Sequence, residues 1–168
     1  AGNLTHVGDT FNTPPLLSTT NYQVQNIILT PTLTVDPPNP TAVGGGNYHN
    51  SGFTGVINFT AYNDFELISV WVDADGAGSR TITLWDSSIT DGNATITNPV
   101  LDQKTINLTD GGQRIYLNFQ VPGPGDYSIG GSNVDLYRNN TGVSYPYMIP
   151  NVVSLNSSSA NNPGSFYY

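Results

Sequence analysis

RIYLNFQV, Arg114 to Val121, decides the fold: Ile115, Leu117, Phe119 and Val121 alternate without a break with Arg114, Tyr116, Asn118 and Gln120. Side chains of an extended strand point alternately to opposite faces, so this pattern sends four apolar residues to one side and the longer polar ones to the other. Such a strand covers a core with one face and meets water with the other. Turn signals bound it on both sides, Asp110-Gly111-Gly112 before and Pro122-Gly123-Pro124-Gly125 after.

Working outward, the same texture recurs from Phe53 onward. FTGVINFTA, FELISVWVD, RTITLWD, ATIT, KTINL, YSIG and VDLYR read as strands, followed by a last pair around Asn151 to Leu155 and Phe166 to Tyr168. Between them stand Asn63-Asp64, Asp75-Gly76, Asp91-Gly92 and Gly130-Gly131. Strands of this length at this spacing predict an all-β fold, an antiparallel β-sandwich or jelly roll. Composition agrees. Only 10% of the 168 residues are charged, and Glu66 and Lys104 are the lone glutamate and lysine, so long amphipathic helices are nearly excluded. Eighteen glycines and 12 prolines punctuate a chain rich in Thr, Val, Ile, Tyr and Asn.

The character changes upstream. YQVQNIIL, Tyr22 to Leu29, reads as a strand, with Ile27, Ile28 and Leu29 making its second half apolar on both faces. Four prolines and three consecutive glycines follow between Pro31 and Gly46, and proline has no amide to give a central sheet. The expected organisation is an arm with a proline-rich linker over residues 1–41, then a sandwich domain over 42–168. Tyr22, Val24, Ile27, Ile28 and Leu29 are the expected assembly residues of that arm, able to add a strand to a neighbour's sheet.

A formal charge of −8 with four cations repels a phosphate backbone, which argues against nucleic acid as a partner. No apolar run approaches the roughly 20 residues of a membrane span, so no membrane insertion is expected. With no cysteine there are neither disulfides nor thiolate metal sites. A surface built from uncharged polar residues points to an extracellular setting. Six Asn-x-Ser/Thr sequons begin at Asn3, Asn58, Asn93, Asn107, Asn139 and Asn156.

GAGSRTITLWDS (Gly76 to Ser87), GGQRIYLNFQVPGPGDYSIG (Gly111 to Gly130), VDLYRNNTGVSYPY (Val134 to Tyr147) and VVSLNSSSANNPGSFYY at the end resemble a β-sandwich module that recurs in large secreted Bacteroidota proteins exported by the type IX system. GDTFNTPPLLSTTNYQVQ, Gly8 to Gln25, is similar to the last strands of an Ig-like module that often precedes it. The resemblance implies secretion and a modular context. It also implies a chain cut at both ends from something longer.

DLYRNNTGVSYPY, Asp135 to Tyr147, concentrates the chemistry. Tyr137, Tyr145 and Tyr147 offer rings, while Arg138, Asn139 and Asn140 offer guanidinium and amide hydrogen bonds, a set that grips a sugar or a neighbouring chain. The competing reading is a turn at Asn139-Asn140-Thr141-Gly142 with tyrosines capping the sandwich. Asp73, Asp75 and Asp86 form the candidate Ca²⁺ site, against a solvated hairpin turn. Trp71 and Trp85, in adjacent strands, are expected in the core, the competing reading being exposed sugar-stacking platforms. Glu66 would share a strand face with Ile68, Val70 and Val72, and no second carboxylate, nucleophile or triad accompanies it, so an enzyme is not expected. No cofactor is expected. The sequence thus predicts a non-catalytic extracellular module for adhesion or polysaccharide binding, with a filament subunit assembling through the arm as the alternative, and its partners are polysaccharide or copies of itself.

Overall fold

The computed structural model describes residues 31–35, 37, 39, 42–49 and 52–167. The chain divides into two units, Ala1–Thr32 and Leu33–Tyr168, and every strand named here falls in the second. Ten strands occur among the described residues: β1 (Gly46–His49), β2 (Thr54–Ala61), β3 (Phe65–Ala74), β4 (Gly78–Trp85), β5 (Val100–Leu108), β6 (Gly111–Val121), β7 (Gly125–Ser132), β8 (Leu136–Asn139), β9 (Tyr147–Ile149) and β10 (Val153–Ser158). They form an antiparallel β-sandwich. One sheet has the order β1-β8-β3-β6 and the other β5-β4-β7-β2-β10-β9. The assembly residues Tyr22, Val24, Ile27, Ile28 and Leu29 lie outside the described residues.

The core forms where the two sheets meet. Ile115, Leu117, Phe119 and Val121 of β6 are all buried, as their alternation predicts, against Ile57 and Phe59 of β2, Ile82 and Leu84 of β4, and Val153 and Leu155 of β10. Each such side chain contributes roughly 1.5 to 3 kcal/mol of transfer free energy. Gly76, at φ 77°, takes the left-handed conformation that turns β3 into β4.

β2 is buried on both faces, because the segment after β4 straps over the outer side of the six-stranded sheet. Ile89 packs there with Val56 and Trp85. Asn58 anchors the strap: its Nδ2 donates to the Ile89 carbonyl at 3.0 Å, and its Oδ1 accepts from the Ile89 amide at 2.9 Å and from Ser128 Oγ at 2.6 Å. ATIT, Ala94 to Thr97, expected as a strand, belongs to this strap and forms no strand among the described residues, where Ile96 packs on the Trp85 cluster instead. Phe166 to Tyr168 likewise yields no full strand in the described residues, only a bridge from Tyr167 to Asn139. Two short strands, β1 and β9, were not foreseen.

The edges of both sheets are guarded. β1 and β9 are four and three residues long. On the other side, Lys104 of β5 reaches across to donate its ammonium to the Tyr116 carbonyl of β6 at 2.8 Å. Short edges and an inward-turned lysine are established ways of discouraging strand addition.

Candidate functional site

The strap leaves an asymmetry: one sheet is covered on its outer side, while the four-stranded sheet carries a run of exposed rings on its own. A register shift decides which residues stand there. Up to Leu67 the odd-numbered residues of β3 face inward, Phe65 and Leu67 both packing on the core. Between Leu67 and Ser69 the pairing with β6 slips, opposite Asn118 at φ 57°. Beyond the bulge the even-numbered residues face inward, Val70 against the core and Val72 buried, because a bulge re-aims every side chain after it. Trp71, which would otherwise join Phe65 and Leu67, therefore faces solvent and is 41% exposed. That corrects its expected place in the core; Trp85 is buried as expected. Glu66 is corrected too, being exposed and opposite Gln120, off the face of Val70 and Val72.

The indole of Trp71 leans across to β6 at Gly112. A Cβ there would stand 3.2 Å from its Cζ2 and 3.4 Å from its Nε1, so the missing side chain is what lets the ring lie down on the sheet with its far side free. Directly opposite Trp71 in the ladder is Arg114, whose Nη1 donates to Ser69 Oγ at 3.2 Å. Two residues on, Tyr116 is the most exposed large ring among the described residues, at 61%. At the other end, Tyr48 of β1 donates its hydroxyl to Asp73 Oδ1 at 3.0 Å and meets the Tyr137 ring edge-on at 5.5 Å. That hydrogen bond to Asp73, then burial and the charges of Asp73, Asp110 and Asp75, raises the Tyr48 pKa above the ordinary phenol value and keeps the hydroxyl a donor. The face thus alternates rings (Tyr137, Tyr48, Trp71, Tyr116) with hydrogen-bonding groups (Asp73, Ser69, Arg114).

The residues singled out between Asp135 and Tyr147 are dispersed. Tyr137 alone joins this face. Arg138 points to the opposite side of β8, its guanidinium 4.6 Å over the Phe166 ring. Asn139 is 1% exposed and donates its amide to the Gly44 carbonyl at 2.8 Å, so the protein itself uses the group a ligand would need. Asn140 is exposed, with its backbone amide on the Gly45 carbonyl at 3.0 Å. Tyr145 and Tyr147 pack with Tyr167 in a three-ring cluster with centroids 5.5 to 6.0 Å apart. The Tyr145 hydroxyl donates to the Phe166 carbonyl at 3.0 Å, and that of Tyr147 accepts from the Ser144 amide. Burial raises the Tyr167 pKa well above the ordinary phenol value. These tyrosines close one end of the sandwich.

The three aspartates are also separated. Asp73 and Asp75 stand where β3 turns into β4, whereas Asp86 follows the last residue of β4, whose eight residues carry the chain about 26 Å away. Among the described residues no three His, Asp or Glu side chains gather as a metal would require. No family model, curated protein or solved structure matches the chain. What the outer face offers chemically is stacking and hydrogen bonding. Trp71, Tyr116, Tyr48 and Gly112 were not among the expected site residues; alternation already turned Tyr116 outward, whereas Trp71 became recognisable as exposed only once the bulge was located.

Proposed function

We propose that this chain is a non-catalytic, extracellular polysaccharide-binding module that holds an extended glycan along the outer face of the four-stranded sheet. The observation that carries the reading is the Trp71 indole laid over Gly112, with Arg114 and Tyr116 beside it and Tyr48 with Asp73 beyond. A pyranose presents an apolar C–H face and a rim of hydroxyls. A ring lying flat on a sheet meets the first, and flanking guanidinium, carboxylate and hydroxyl groups meet the second. A chain of sugars needs an open, elongated surface rather than a closed cavity, and this face runs across β1, β3 and β6.

Affinity electrophoresis and calorimetry against a panel of neutral plant and algal polysaccharides test the proposal. Binding to at least one, weakened about tenfold or more by Trp71→Ala and by Tyr116→Ala with folding intact, is the expected result. No binding anywhere, or binding indifferent to both substitutions, overturns it.

A further inference from the structure

We propose a second site, for the oxyanion of an acidic sugar, in the groove on the opposite side of β1 and β8 from the aromatic face. Tyr48 and Tyr137 face one way; their chain neighbours His49 and Arg138 face the other, as strand alternation requires. There they line a groove of about 310 Å³. Its size suits one or two sugar rings.

The lining is unlike the rest of the molecule. The chain carries 12 acidic residues against four cations, yet no carboxylate lines the groove among the described residues. Arg138 is the cation placed at a concave wall. Its guanidinium is oriented by stacking on Phe166, which presents a planar fork suited to a carboxylate or sulfate. Facing it, Asn93, Asn161 and Asn162 supply amides for sugar hydroxyls. Phe53, which meets the His49 ring edge-on at 5.2 Å, supplies an apolar wall. Burial and the nearby Arg138 charge lower the His49 pKa, so at neutral pH the imidazole is an uncharged hydrogen-bonding group and the guanidinium provides the positive charge. In a protein otherwise repellent to anions, a concave wall with one cation and several amides suits one charged residue of an acidic sugar chain.

That the ligand is a saccharide rests on the carbohydrate reading above; that it is an anion rests on the groove alone. The experiment titrates ¹⁵N-labelled protein with trigalacturonate, with its carboxyl-reduced counterpart and with a monosulfated disaccharide, following side-chain amide, Arg138 Nε–H and indole signals by NMR. The expected result is that an acidic probe shifts Arg138 and the Asn161 and Asn162 amides. The reduced trisaccharide should bind at least tenfold more weakly, Arg138→Gln should lower affinity at least tenfold, and Trp71→Ala should leave it unchanged. The two acidic probes separate a carboxylate from a sulfate preference. Asn161→Ala, at an exposed position, provides a variant that keeps the fold and should weaken binding severalfold. Equal binding of the reduced probe, shifts confined to the Trp71 face, or no groove shifts at millimolar probe each overturn the assignment. Because neutral glycans report on the Trp71 face independently, failure here and failure of the proposed function give different outcomes.

Discussion

Gly112→Val tests the geometry on which the aromatic face depends, without touching an aromatic residue. In the native protein the Trp71 indole hides about three-fifths of its surface, and part of the cover is the backbone at Gly112, where even a Cβ would stand 3.2 Å from the ring. Alanine asks the indole to give by a few tenths of an ångström. Valine adds two methyl groups beyond that point and has to lift the ring off β6. Re-exposing about 100 Å² of ring at ~25 cal/mol per Å² costs about 2.5 kcal/mol. Replacing glycine by a β-branched residue within a strand returns about 1 kcal/mol, leaving a net loss of about 1 to 2 kcal/mol. In a Trp85→Phe background Trp71 is the sole tryptophan, so its emission maximum reports its surroundings directly. The expected result is a red-shifted maximum, an earlier urea midpoint and roughly tenfold weaker glycan binding, with Gly112→Ala less than half as affected. If Gly112→Val leaves both the emission maximum and the midpoint where they were, the indole does not lie on Gly112 and the stacking argument fails.

Asn58→Leu should cost about 2 to 4 kcal/mol in urea unfolding, because it strips the Ile89 carbonyl of its donor inside the strap; a loss under 1 kcal/mol would mean the strap is held by Ile89 packing alone. Lys104→Val should produce concentration-dependent association in sedimentation experiments, as an edge strand loses the charge that tucks against β6, and a strictly monomeric variant would contradict this. The folded-state pKa of His49 lies below its unfolded value, so the unfolded chain takes up a proton that the folded protein resists, and His49 withdraws stability as pH falls below about 6.5, levelling off below the folded pKa. Between pH 7.5 and 5 the melting temperature of His49→Gln should accordingly fall less than that of the unaltered protein, and parallel profiles would refute the assignment.

Period-two alternation in Arg114 to Val121 was enough to fix the strand, its buried face and the sandwich class, because alternation is a property of the extended backbone and needs no neighbours. The Asp75-Gly76 turn was equally local, a matter of one residue's tolerance for positive φ. The candidate site was not legible in this way. Tyr137, Arg138 and Asn139 are adjacent in sequence, and adjacency looked like a cluster, but alternation sends Arg138 to the groove and Tyr137 to the outer face, while Asn139 is buried with its amide on the Gly44 carbonyl. Trp71 illustrates the converse. Its parity with Phe65 and Leu67 assigns it to the core, and only the slip opposite Asn118, created by how β3 pairs with a strand more than 40 residues away, turns it outward. Likewise Asp86 was grouped with Asp73 and Asp75 through short sequence separation, while an intervening strand carries it away. Local periodicity determined what the strands are and, in β6, which face is buried; which side of β3 reaches water beyond Leu67 was settled by long-range pairing, since a one-residue change of register exchanges the two faces of everything that follows.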